Sequence, residues 1–254
     1  MIEMTTAIYE ETKKDINEAY RQKRKSKIQK ETSFILSQII TLMMSQFKDR
    51  LYGISADLFD LNETYIFSDE NQRMLLKWLD RFILLNSPIS DLEFGKLKID
   101  LESWYLQIGG KNLRFFYRED YLLTPTEAAK ALGVSRVTLN KYVKSGLEVA
   151  DTNSHSKIPR HAIELWKDPI YGIKMQMLYQ KKKLATQTPK ERLREVQEKI
   201  LDFQLKYKKP TSSEAFAGMD VDSLDDPYDY WEWRDLEKER EKLMKKLMGE
   251  ADVQ

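Results

Sequence analysis

Apolar residues recur at helical spacing along most of this chain, and strand-like alternation is scarce. From about Thr5 to Lys30 the sequence is polar and helix-permissive. It continues into Glu31–Tyr52, where Phe34, Ile35, Leu36, Ile39, Ile40, Leu42, Met43, Met44 and Phe47 make a broad apolar stripe. Such a stripe needs cover from other helices or a second subunit. Asp57–Thr64 reads as a connection, and Ser68 as the N-cap of a helix carrying Met74, Leu75, Leu76, Trp78, Leu79, Phe82, Ile83 and Leu84. Asn86-Ser87-Pro88 breaks that helix. Another runs from about Asp91 to Gln107 and closes at Gly109-Gly110, and Lys111–Tyr121 reads as a short strand or a linker helix.

Towards the C-terminus, Asp168-Pro169 stops the element that contains Ile163 and Trp166. A helix is expected from Tyr171 to about Lys183. A second starts with Thr188 as cap and Pro189 at its first position and runs to Tyr207. Thr211–Tyr228 is loop-like and acidic. Tyr230–Met248 reads as a last helix whose apolar positions Trp231, Leu236, Leu243 and Leu247 are sparse, suiting one-sided docking or pairing between subunits.

The most informative stretch lies between these halves. Thr124-Pro125-Thr126-Glu127 is a helix start in which Thr124 accepts an amide hydrogen bond, Pro125 needs no donor and Glu127 completes a capping box. Ala128, Ala129, Ala131 and Leu132 give a short helix with small side chains. Gly133 ends it, Val134 plugs the space between helices and Ser135 caps the next one. Leu139, Tyr142 and Val143 face inward with Val134. That leaves Arg136, Val137, Asn140, Lys141 and Lys144 on the other side, until Gly146 stops the helix. Two short helices across a glycine turn, the second with a polar and basic outer face, suit entry into a DNA major groove. Arginine and lysine contact phosphate or guanine, asparagine pairs with adenine, and valine meets a thymine methyl.

Leu123 to Gly146, with Lys157-Ile158-Pro159-Arg160-His161-Ala162-Ile163-Glu164-Leu165-Trp166, resembles the excisionase-type branch of the MerR-like winged helix-turn-helix family. The resemblance covers residues 121–167, under a fifth of the chain. It implies that the second helix reads the major groove while a following hairpin, the wing, contacts the backbone. By position it makes Arg136, Val137, Asn140 and Lys141 the reading face, with Lys157 and Arg160 at the wing's far edge; the start and outer face of the second helix add Ser135, Thr138 and Lys144 as candidate DNA contacts. The wing, between Leu147 and Ile158, carries Glu148 and Asp151 where family wings are basic. Affinity is then expected to draw on the basic stretch Lys13–Lys30, on Lys181-Lys182-Lys183, or on dimerisation.

Composition narrows the classes. Charged residues make up 33% of the 254 positions, and the formal net charge of +1 conceals basic residues at 13–30 and acidic ones at 220–237. There is no cysteine, which removes disulfides, thiolate nucleophiles and Cys-ligated metal sites. The only histidines, His155 and His161, lack carboxylates at metal-ligand spacing. Asp220–Asp226 lacks the central Gly and terminal Glu of a calcium loop. No Gly-rich phosphate loop or nucleophile elbow is present, so neither an enzyme nor a cofactor site is expected. No run approaches a membrane span, and the N-terminus has no apolar leader core. Tyr228, Tyr230, Trp231 and Trp233 beside acidic residues read either as anchors for the last helix or as a segment that binds a protein or masks the chain's own basic surface.

The expectation is a mainly α, multi-domain helical protein with a central winged helix-turn-helix. Residues 1–30 would form a basic N-terminal arm, 31–120 a helical domain suited to dimerisation, and 121–167 the DNA-binding domain. Residues 168–210 would form a helical extension, and 211–254 an acidic-aromatic segment with the last helix. The function expected is sequence-specific binding of double-stranded DNA by a cytoplasmic, nucleoid-associated homodimer that regulates transcription. The alternatives are a scaffold component with a structural winged helix, or a recombination or replication accessory of a mobile element.

Overall fold

The computed structural model describes residues 6–57, 59–84, 89–150, 156–218 and 227–251. In chain order it contains α1 (Thr6–Arg21), α2 (Lys25–Gln46), β1 (Leu51–Ala56), α3 (Glu63–Ile66), α4 (Asp69–Leu84), α5 (Asp91–Gln107), β2 (Leu113–Tyr117) and β3 (Leu122–Leu123). There follow α6 (Pro125–Leu132), α7 (Arg136–Ser145), β4 (Ile158–Pro159), α8 (Arg160–Lys167), α9 (Pro169–Thr186), α10 (Pro189–Tyr207), α11 (Ser212–Ala215) and α12 (Pro227–Ala251). The protein is mainly α, and its described residues form two two-stranded antiparallel sheets, β1–β2 and β3–β4. No helix among the described residues is long and apolar enough to cross a membrane. The chain forms two compact units, residues 1–182 and 183–254, the division falling within α9.

Two cores fill the first unit. The larger gathers Ile16 of α1, Ile35, Ile39 and Met43 of α2, Leu75, Trp78 and Leu79 of α4, and Phe94, Leu101, Trp104 and Tyr105 of α5. α1 is thus packed into this core. Tyr9, Ile16 and Ala19 are buried, and the Tyr9 hydroxyl donates to Asp80 Oδ1 at 2.6 Å. The spacing of these few apolar residues among many charges resembles a solvated helix, yet it is one narrow buried stripe. Between α1 and α2 the chain turns at Lys23, whose φ is +52°.

The structure also departs from a helix running through Tyr52. α2 ends at Gln46, and residues 51–56 form β1, paired with β2 in the register Ile54 to Phe115 and Ala56 to Leu113. A register shift between Leu51 and Gly53 breaks the period-2 pattern that would mark the strand in sequence. Of the two readings of residues 111–121, the strand is the one observed over Leu113–Tyr117, and a single 3-10 turn follows at Glu119–Tyr121.

α5 is buried on nearly every side. It gives Phe94, Leu97, Leu101, Trp104 and Tyr105 to the first core and Ile99 to the second, which also holds Ala128, Ala129, Leu139, Leu147, Ile158, Ala162, Ile163, Leu165, Met175 and Leu178. A Cβ on Gly95 would sit 2.8 Å from Leu165 Cδ1 and 3.2 Å from His161 Cβ, so α8 approaches α5 closely only because residue 95 has no side chain. Buried helices normally lack charge, but here Lys98, Asp100 and Glu102 are buried and paired. Asp100 receives Arg81 at 2.5 Å and the Tyr171 hydroxyl at 3.1 Å.

The second unit packs α10 against α12 around Val196, Ile200, Phe216, Trp233 and Leu236. Thr188 and Glu191 form a capping box at the start of α10. Arg192 makes a two-pronged pair with Glu239, both distances 2.7 Å. Trp233 is fully buried and stacks on Phe203 at 5.6 Å, whereas Trp231, the expected apolar contact, is exposed. Trp233 and Tyr230 thus act as anchors within this unit. Asp220–Asp226 lie outside the described residues.

Candidate nucleic-acid interface

α6 and α7 form a capped helix pair. The Glu127 N–H donates to Thr124 Oγ1 at 3.3 Å, and the Thr124 N–H donates back to Glu127 Oε2 at 2.8 Å. Pro125 opens α6, where a missing donor costs nothing. Gly133 ends it at φ +68°, and the Val134 N–H returns to the Ala129 carbonyl at 3.0 Å. Only Gly133, Val134 and Ser135 separate the helices. Ser135 Oγ accepts the Thr138 N–H at 3.1 Å and lies 3.0 Å from Thr138 Oγ1, so both hydroxyls are occupied in capping.

One face of α7 is fixed and the other is free. Leu139 is buried against Ala128 and Ala129, while Val134, Tyr142 and Val143 pack around them. Tyr142 lies 4.9 Å from Trp166 of α8, ring to ring. On the far side Arg136, Val137, Asn140, Lys141 and Lys144 are all exposed, Val137 to 69%. None of the five forms a hydrogen bond or ion pair with the described residues. Three formal positive charges and an amide therefore surround one apolar side chain on a helix whose orientation is set from behind. Gly146 ends α7 at φ +115°, and a Cβ there would lie 2.9 Å from Tyr179 Cβ.

The expected wing is described only at its base. The Ala150 N–H donates to the Lys157 carbonyl at 2.8 Å, and Ile158 pairs with Leu123. Residues 151–155, including Asp151 and His155, lie outside the described residues. Lys157 pairs with Glu119, and Arg160 donates to the Asp120 carbonyl at 3.1 Å. The structure thus brings Arg136, Val137, Asn140, Lys141 and Lys144 onto one face. Ser135 and Thr138 sit at its start, and Lys157 and Arg160 are engaged elsewhere. Of the basic runs, Lys27 pairs with Asp15, Lys182 with Glu102 and Lys183 with Glu195.

Glu148, counted in sequence as an acidic wing residue, points inward. Its Oε2 receives Lys98 Nζ at 2.9 Å and His161 Nε2 at 3.1 Å, and its Oε1 receives the Tyr117 hydroxyl at 2.7 Å. Lys98 also binds Glu102 at 3.0 Å. Burial alone raises the Glu148 carboxyl, but Lys98 and His161 together hold it well below the usual carboxylate range. Burial pushes His161 below its ordinary value despite the carboxylate beside it, so the neutral ring donates through Nε2. This cluster ties the segment after α7 to α5, β2 and α8. Sequence reading missed it because its members stand up to 63 residues apart, from Lys98 to His161. No metal-holding group of His, Asp or Glu occurs among the described residues.

No protein-family model matches the chain, and no curated protein or solved structure does either.

Proposed function

We propose that the chain binds double-stranded DNA sequence-specifically, with α7 in the major groove, and acts as a transcriptional regulator on chromosomal DNA. The observation that carries this reading is the outward face of α7: Arg136, Val137, Asn140, Lys141 and Lys144 are exposed and have no hydrogen-bond or ion-pair partner among the described residues, on a helix capped at both ends. Unpaired cations reach phosphates without first breaking an ion pair, and Arg136 and Asn140 suit base edges. The inward turn of Glu148 removes one negative charge from the wing surface, which favours approach of a polyanion. Two copies on a palindromic site would supply the affinity that a weakly basic wing does not.

A scaffold role with a structural winged helix is the second reading. It draws on the engagement of Lys157 and Arg160 by Glu119 and the Asp120 carbonyl. Selection from randomised duplex DNA, with wild type beside Arg136→Ala and Asn140→Ala, separates the two. DNA reading requires an enriched motif. Each variant should lose about 1–3 kcal/mol on it and relax preference at one position. Absence of an enriched motif, or equal binding by all three proteins, favours the scaffold.

A further inference from the structure

β2 leaves one edge of its sheet open, and its pairing with β1 determines which backbone groups remain unused. The Asp57 N–H donates to the Asn112 carbonyl at 3.2 Å, and the Arg118 N–H to the Arg50 carbonyl at 2.9 Å. In an antiparallel ladder alternate residues turn both N–H and C=O to the same neighbour. Residues 112, 114, 116 and 118 therefore point to β1, whereas Leu113, Phe115 and Tyr117 point away from it. Among the described residues the sheet has two strands only, and these three residues have no backbone partner outside it.

That edge borders a groove of about 820 Å³ lined by every residue of β2, by Ile99, Met175 and Leu178, and by the segment Leu147–Ala150. Lys98, Glu102 and Glu148 at its side satisfy one another, so the groove has no unpaired buried charge there to attract a lone ion. Open edges are commonly blunted by lysine, proline or a covering element. β2 carries neither residue, and three of its five side chains are aromatic.

We propose that this groove takes an extended segment of a partner protein as a third strand beside β2. Three N–H and three C=O groups in a row call for a repeating backbone, which a small molecule does not supply. On the strand's outer face Arg114 is exposed and makes no hydrogen bond or ion pair with the described residues, and Phe116 is also exposed. An antiparallel segment with an aromatic residue opposite Phe116 and a carboxylate two residues later, opposite Arg114, complements both.

The probe is a fluorescein-labelled Ser-Val-Phe-Val-Glu-Val-Ser peptide added to the full chain, read by anisotropy and by hydrogen exchange. Saturable binding is expected, with the Leu113, Phe115 and Tyr117 amides becoming protected while those of Arg114 and Phe116 change little. Proline at the central valine should abolish binding. Arg114→Glu should weaken it about threefold, and a peptide with Lys in place of Glu should restore it. No saturable binding overturns the proposal, as does binding without protection at those three amides. Binding of anilinonaphthalene sulfonate in the groove without binding of the peptide also overturns it, making the groove a small-molecule site. None of these readouts depends on DNA.

Discussion

Lys98→Met tests whether the buried ion cluster holds the first unit together. Lys98 Nζ lies 3.0 Å from Glu102 and 2.9 Å from Glu148, and its side chain is 3% exposed. Methionine keeps the length of the aliphatic stem but leaves two carboxylates without their shared cation. Removing one partner of a buried pair costs about 3–5 kcal/mol. Here Glu102 keeps Lys182 at 2.7 Å, and Glu148 keeps the Tyr117 hydroxyl and His161. The expected loss therefore sits at the lower end, about 3 kcal/mol. Urea unfolding followed by hydrogen exchange at α5 amides reads the first unit separately from the second. Because the stranded carboxylate in the variant takes up a proton more readily, its deficit should shrink from about pH 8 to about pH 5. A loss below about 1 kcal/mol, or a deficit unchanged with pH, would mean that surrounding apolar packing and not the lysine sustains this region.

Other expectations follow from single features. Gly146→Ala should destabilise by about 2–4 kcal/mol, combining a positive φ with a backbone and Cβ clash on α9, whereas Gly133→Ala meets no atom within 4 Å and should cost about 1 kcal/mol; calorimetry showing the reverse order would refute this. Asn71→Leu should cost about 2–4 kcal/mol, because Asn71 accepts the Trp104 indole N–H at 2.9 Å and donates to the Ile66 carbonyl at 3.2 Å; retention of wild-type stability in a urea titration would sink the claim. His161 and Glu148 both have folded pKa values below their ordinary 6.5 and 4.5, so the native state binds fewer protons than the unfolded one. Their stabilisation is complete above about pH 6.5 and is lost as pH falls through the folded values; a His161 ring resonance titrating at or above 6.5 would contradict it. Tyr20 and Tyr65, pushed up to about 12 chiefly by burial, work in the opposite sense, contributing below pH 10 and losing that contribution as pH rises through about 12; ultraviolet titration of the tyrosines reads this directly.

Much of the helix pair was legible because its signals are local. Thr124 acts on Glu127, Gly133 on Ala129 and Ser135 on Thr138, each within four residues, and the structure places each where the spacing implies. The same holds for Thr188 and Pro189 at the start of α10. What escaped depends on distant partners. Lys98 and Glu102 pair within α5 as any exposed i,i+4 pair would, and the other groups that neutralise Lys98, Asp100 and Glu102 come from α4, α9 and the segment after α7, so nothing local signals that α5 is covered on nearly all sides. β1 was hidden because its alternation is broken at Gly53, and Asn71 because its hydrogen-bond partners lie on α1, α2 and α5. Glu148 was assigned the wrong direction for the same reason. Its sequence neighbours place it in a wing, but Lys98, fifty residues earlier, draws it inward.

Gly95 and the close packing of α5 on α8 bear on how portable the proposed reading head can be. Cut out as residues 121–167 and grafted onto another scaffold, it would lose Ile99 from its core and the ammonium that neutralises Glu148. Its boundaries as a transplantable piece are thus set by chemistry outside its own stretch of chain. A graft that keeps this packing would have to bring α5 with it, together with the part of α9 that carries Met175 and Leu178.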